Sequence, residues 1–440
     1  MGHNHHIDIK QEKFEFTSKS KMISIVLLAV GLILSVIGVI QIKNHDTSSS
    51  HKHQTEVTTA NTAEHASATE EHGKSWTLRF WANLLINSYY FLLFGIGGLF
   101  FVALNYIANA GWATMIKRIA EAMSSYIPIG FIILMITLIF GGKELYHWIH
   151  YEHLGLKEGM EGYDKILDGK SGFLNTKFLF FGVPFIFFIW YIFRTLLRRL
   201  SIKEDEQGGL TFFNKSVKLS AGFMVLFLFS FSIFAWIVMM SIDAHWYSTI
   251  YSVYNWGILF VTSITIISFF ILYLKSKGYM ELVSSEILHD LGKFMFAFCI
   301  FWAYIWVAQF LLIWYANIHE EIVYYNIRLH GYFRPLFFIN LFINFFIPFL
   351  ILMTKNAKRN PKTLLLAGTC ILVGHWLDLY IMVMPGTMGE SSGIGLLEIG
   401  MPIAFAGLFI YIVKNSLSKA NLYPEKHPYI VESATYDVGV

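Results

Sequence analysis

The 440 residues are 55% hydrophobic and 17% aromatic, with only 14% charged and a formal net charge of +3. An ordinary soluble domain is about a quarter charged, so this much apolar surface excludes a soluble globule and points to a polytopic membrane protein. The small net charge provides no footprint for nucleic acid or an acidic substrate. The two cysteines, Cys299 and Cys370, lie in apolar runs without CxxC or CxxCH spacing. That excludes a covalent c-type haem, an iron–sulfur centre and a Cys-based zinc site in this chain.

In chain order, an N-terminal tail (1–21) leads into the apolar run 22–42. No small-residue cleavage site follows that run and it is long enough to span, so it reads as a retained anchor. Residues 43–75 are polar and rich in Thr, Ser and Ala, and a disordered outer loop is expected there. The loop's histidines (His45, His51, His53, His65, His72) and those of the N-terminal GHNHH lack regular ligand spacing, so a solvated linker is expected rather than a metal site. Further windows of about 20 apolar residues fall near 80–108, 126–148, 174–197, 217–242, 250–274, 292–316, 333–354, 363–384 and 395–414.

The expected fold is therefore all-α and integral to the membrane, with ten transmembrane helices. Helices 2–5 (76–248) and helices 6–9 (249–385) form two four-helix bundles, flanked by helix 1 and by helix 10 with its preceding loop (386–415). The quartets enter and leave the membrane in the same sense, the pattern of parallel repeats. A tail, 416–440, ends the chain. Alternate connections hold 22 of the 33 Lys and Arg residues, among them Lys117, Arg118, Arg194, Arg198, Lys358 and Lys414. The positive-inside rule makes that side cytoplasmic, with both termini inside.

Ionisable residues recur at the outer ends of the odd-numbered helices. The third carries Lys143, Glu144 and His147; the fifth Asp243 and His245; the seventh His319 and Glu320; the ninth His375 and Asp378. At about 1.5 Å per residue from Lys362, His375 lies about 20 Å into the membrane. His375 and Asp378 are i, i+3 and share one helical face. Lys143, His319 and Glu320 form a weaker set near the interface, where solvation suffices. Trp148, Trp246, Tyr247 and Tyr251 fit an interfacial belt and need no function. Intramembrane ionisable groups are costly, so Glu144/His147, Asp243/His245 and His375/Asp378 are the candidate site. A quinol site needs an apolar slot, a histidine to bond one oxygen and a carboxylate to take or relay the proton. A proton path calls on the same residue types.

Ten spans, two four-helix units and polar residues near the outer face resemble the NrfD/polysulfide-reductase family of membrane subunits. Within it, SIDAHWYSTIYSVYNW, LLIWYANIHEEIVYY and GHWLDLYIMVMP resemble the membrane subunits of alternative complex III, a bacterial quinol:cytochrome c oxidoreductase. SIDAHWYSTIY is most like the second of its two NrfD-like subunits (ActF, quinone-binding subunit 2). The resemblance covers the chain from about residue 80. It implies a multi-pass subunit of the bacterial inner membrane that binds no cofactor covalently. Quinone or quinol is the candidate ligand. The implied partners are a multihaem c-type cytochrome, an iron–sulfur protein and a second NrfD-like subunit, with haem and iron–sulfur clusters held by those partners. The family's best-supported quinol site lies in the other NrfD-like subunit. Asp243 and His245 match the family's fifth-helix motif, and His375 and Asp378 its ninth-helix motif. His319 stands where the family has proline.

Two rivals come from other classes. A di-haem cytochrome b-like anchor would use His147, His245 and His375 as axial ligands. A stand-alone proton-coupled transporter would use helices broken near mid-membrane, to which Gly141-Gly142, Pro184, Pro348 and Pro402 are weak pointers.

Overall fold

Each apolar window forms a helix, and several helices run on past the window into its charged flanks. The computed structural model describes residues 12–57, 76–156 and 158–437, with backbone only over 45–57. Ten helices in it are long and apolar enough to cross a membrane. They are α1 (Ser18–Asn44), α2 (Trp76–Ile107), α3 (Gly111–Leu145), α4 (Phe178–Gln207), α5 (Leu210–Ile242), α6 (Tyr251–Lys275), α7 (Ser285–Ala316), α8 (Phe333–Ile351), α9 (Pro361–Thr387) and α10 (Leu396–Leu417). The protein is an all-α multi-pass membrane protein.

Three boundaries differ from expectation by ten residues or more, for one reason. The stretches after residue 111, after 197 and after 42 contain no Gly or Pro to break a helix. Consequently α3 starts at Gly111 rather than near 126, α4 runs on to Gln207, and the backbone of α1 stays helical to Val57. The first part of the segment expected to be disordered is thus helical. The remainder, 58–75, and the N-terminal GHNHH lie outside the described residues.

Helices α2–α5 pack around one another, as do α6–α9. The two quartets meet through α2 and α6 at the centre, with α2 also against α9 and α6 also against α5. That reciprocity is the contact pattern of a two-fold repeat. A second sign is local. A π-helical turn at Phe178–Gly182 in α4 precedes Pro184, and one at Phe342–Phe346 in α8 precedes Pro348. The matched stretches read FLFFGVPF and FINFFIPF. Proline has no N–H to bond the carbonyl four residues back, so the ladder widens at the same place in both halves.

Helix α1 sits outside both bundles and docks almost wholly on α10. Small residues allow it: a Cβ on Gly31 would lie 2.2 Å from the Ala404 backbone nitrogen, and one on Gly400 2.7 Å from that of Ser35. Close backbone approach of this kind drives helix association in lipid. Gly31→Leu is expected to release α1 from α10, seen as faster hydrogen exchange over residues 24–38 than in the wild type.

Both tails lie on the Lys/Arg-rich side, hereafter the inner side, and bond to each other: Leu422 N–H donates to the Glu12 carbonyl (2.8 Å). The tail beyond α10 then crosses the inner ends of both bundles. Ser433 Oγ donates to the Trp112 carbonyl (2.8 Å) and Tyr436 OH to Asp290 (2.7 Å). His427 is buried against the rings of Tyr106 and Phe213. Burial, and then the nearby Lys117 charge, push its pKa down to about 2. An unfolded histidine titrates near 6.5. The neutral imidazole therefore stabilises the docked tail fully above about pH 6.5, and that contribution falls as pH drops below it. Protection of the 421–437 amides, corrected for the intrinsic exchange rate at each pH, is expected to fall between pH 7 and pH 5 in the wild type, and much less in His427→Phe.

Candidate functional site

Asp378 lies near the middle of the second bundle, 3% exposed, and each of the other three helices of the bundle sends it a donor. From α6, Tyr254 OH donates to its carboxylate at 2.6 and 2.7 Å from the two oxygens. From α7, Trp302 Nε1–H donates at 3.0 Å, and from α8 Asn340 Nδ2–H donates at 2.8 Å. Asn344, one turn along α8, donates to the Asn340 carbonyl oxygen at 2.6 Å and so steadies that amide. The approach of α8 depends on Gly374: a Cβ there would stand 2.3 Å from Asn344 Oδ1. Donors only, converging on one carboxylate, complement a group that when ionised only accepts.

His375 is 0% exposed and stands edge-to-face on Trp302, with ring centroids 5.4 Å apart. Its Nδ1 is 3.8 Å from Asp378 Oδ2, and neither ring nitrogen has a hydrogen-bond partner. A fully buried imidazole without partners is rare, because each lost bond costs about 1–3 kcal/mol. The pair has the parts of a site that holds a proton: a base fixed by donors, and beside it a second base without a hydrogen-bond partner.

Asp243 belongs to a different unit. Arg328, 1% exposed on the outer helix His319–Leu329, donates to Asp243 at 2.9 Å and lies over the Tyr324 ring. It also donates to the carbonyls of Ile381 (3.1 Å), Met382 (2.9 Å) and Tyr324 (2.7 Å). The Ile381 carbonyl needs an outside donor because Pro385, four residues on, has no N–H. This unit ties the end of the first bundle to the last turns of α9, and Trp246 stacking on Tyr324 at 3.9 Å reinforces it.

His245 is more than half exposed and bonds Asp164, which caps the short helix Lys165–Lys170. Burial pushes the Asp164 carboxyl up, but the His245 hydrogen bond and the N–H groups of Leu167 and Ile166 outweigh it and hold it below its ordinary value. Glu144 and His147, expected inside the first bundle, are exposed on the outer surface, as are Lys143, His319 and Glu320. The helix breaks at Tyr146, whose φ and ψ are −115° and 106°, so Glu144 and His147 share no helical face. Glu144 accepts from Thr77 Oγ1 at 2.7 Å.

The halves therefore differ. Matching IVMM (237–240) of α5 with IMVM (381–384) of α9 sets Phe231 and Phe234 against His375 and Asp378. Likewise FLFFGVPF and FINFFIPF set Phe180 against Asn344. Phe234 packs within 5.3 Å of the rings of Tyr89 and Phe187 and 5.6 Å of Trp190. Rings fill the first bundle where the second is polar.

Sequence reasoning weighed acids and histidines, and so missed Tyr254, Trp302, Asn340, Asn344 and Arg328. Two asparagines four apart in an apolar helix were the available signal for α8. It also missed Glu398, 0% exposed at the start of α10, which pairs with Arg79 at 2.8 Å. At the inner end, Lys117, Arg118 and Arg198 do not face water as loop cations. They pair with Glu121, Glu204 and Asp205 in a buried network, including Arg118–Glu121 at 2.9 Å and Lys117–Glu204 at 3.4 Å.

No protein-family model matches the chain, and no curated protein matches it.

Proposed function

We propose that this chain is a membrane subunit of a bacterial quinol-oxidising complex, acting as scaffold and as the holder of protons released when quinol is oxidised. The single observation that supports this reading most is the enclosed Asp378 with its three donors and the unpartnered His375 beside it. Quinol oxidation releases protons and electrons together. Asp378 and His375 would take the protons near the outer side, while the electrons pass to an iron–sulfur protein and a multihaem cytochrome. A second NrfD-like subunit would complete the membrane part. The positive-inside distribution supports an inner-membrane location with both termini cytoplasmic.

A transporter reading has less support, since the inner ends of both bundles are closed by ion pairs and by the tail. A di-haem reading has less again: His147 and His245 are exposed while His375 is enclosed. Affinity purification from native membranes in gentle detergent tests the proposal. Stoichiometric recovery of multihaem cytochrome and iron–sulfur partners is expected. Recovery of the chain alone, or only as a homo-oligomer, would sink it.

A further inference from the structure

A cavity of about 320 Å³ lies at the outer end of the first bundle, within the size range of small-molecule sites. It is enclosed by the last turns of α5, the loop after them, and the short helix Lys165–Lys170 with the residues that follow it. Trp236, in its wall, stands six residues before the end of α5, about 9 Å below the outer tip. With 33 residues α5 is about 50 Å long, against a hydrocarbon core of about 30 Å, so its tip reaches the headgroup layer. Phe173, Leu174 and Met240 line the apolar part.

The polar part offers donors. Trp246, 4% exposed, and the half-buried Trp236 both line the cavity, and neither indole N–H has a hydrogen-bond partner. Lys170 lines it too. Its ammonium donates to the carbonyls of Ala244 (2.6 Å) and Trp246 (3.4 Å) and lies over the Tyr247 ring, which leaves one N–H over. Asp164, the acid that acts on it, is bonded to His245 instead. Burial pushes the Lys170 pKa down and Asp164 only partly offsets that, as expected of a cation short of a counter-ion. Two free indole N–H groups and one unmatched positive charge call for an acceptor-only group with a single negative charge. A quinone carbonyl would accept, but it would leave the Lys170 charge unmatched.

We propose that this cavity binds the phosphate of an anionic phospholipid such as phosphatidylglycerol, with Lys170 and the indole N–H groups of Trp236 and Trp246 as donors. The phosphate diester carries one negative charge, which matches Lys170. The zwitterionic headgroup of phosphatidylethanolamine brings its own cation and leaves no net charge for Lys170. Inorganic phosphate shares the anion chemistry but has nothing to place against Phe173, Leu174 and Met240. The cavity takes the phosphate, the glycerol and the first acyl carbons, and the chains continue into the bilayer. Bound there, the lipid ties the α3–α4 connection to the end of α5. This site is independent of the quinol reading.

The test uses the protein as purified from native membranes, in nanodiscs of phosphatidylethanolamine. The probe is a trace of phosphatidylglycerol carrying a diazirine high in one acyl chain. Peptides from 170–174 and 236–249 are expected to be labelled, and excess unlabelled phosphatidylglycerol should reduce that labelling about tenfold. Labelling of 22–37, where α1 exposes apolar side chains to lipid, is the reference and should not change. Lys170→Gln should lower cavity labelling about tenfold, as for loss of a bond to a charged group. Trp236→Phe keeps the ring and should lower it about fivefold, as for loss of a neutral bond. Equal competition by inorganic phosphate would assign a free ion instead, and competition by a polyprenyl quinone a neutral ring; either overturns the proposal. So would cavity labelling competed no more than the α1 reference, or labelling that both variants leave unchanged.

Discussion

Asp378→Asn is expected to slow quinol oxidation by the assembled complex at least 100-fold while leaving the chain inserted and its partners bound. General acid–base groups contribute about 10²–10⁴-fold, which sets the scale. Asparagine keeps the volume and one acceptor, so Asn340 or Trp302 retains a partner. Its amide nitrogen, however, faces Trp302 Nε1–H or Asn340 Nδ2–H, which cannot accept, leaving it only the Tyr254 hydroxyl, and it cannot take up a proton. The structural cost is then that of one or two mismatched bonds, about 1–3 kcal/mol each. The measurement is turnover per complex, with subunit stoichiometry determined on the same sample. Wild-type turnover in a normally assembled complex would reduce the cluster to a structural knot holding four helices together.

The largest loss of stability is expected at a residue remote from that chemistry. Arg328→Met should destabilise the protein by about 3–5 kcal/mol, the range found when one partner of a buried ion pair is removed. The reason is arithmetic on its bonds: the side chain serves Asp243 and the carbonyls of Tyr324, Ile381 and Met382. The Ile381 carbonyl has no replacement within its own helix because of Pro385. Asp243→Asn should cost less, since Arg328 keeps its three carbonyls. The double variant should cost less than the two single losses combined, because the two side chains are in direct contact. Unfolding by denaturant in mixed micelles, followed by tryptophan fluorescence, measures all three. Additive losses would show that the pair is not coupled.

The spans were legible because lipid imposes a one-dimensional rule: about 20 apolar residues, flanked by charge. The repeat was legible in its topology for the same reason. The site was legible only in part. His375 and Asp378 announced themselves as polar groups in an apolar run, and α9 does carry them inward. Glu144 and His147 looked alike on paper, but the turn at Tyr146 lies between them and they end outside. Linear spacing assumes an unbroken helix, and a break at one residue cancels it. The donors around Asp378 come from three other helices, and nothing in one helix's periodicity says which neighbour it will face. The π turns were hidden for a related reason: a proline marks a disturbed ladder without saying whether the helix will kink, stop or widen.

The depth of Asp378 has a consequence for energy coupling. It stands 17 residues from the start of α9, about 25 Å along a helix of about 40 Å. A unit charge moved across the whole membrane gains or loses about 2.3 kcal/mol per 100 mV. A proton arriving from the inner side would cross roughly 60% of that drop, worth about 1.4 kcal/mol and a tenfold change in occupancy. One arriving from the outer side would cross the remainder, worth about 0.9 kcal/mol and roughly a fivefold change of opposite sign. The sign of the response of turnover to an imposed voltage therefore reports the side from which this carboxylate is loaded.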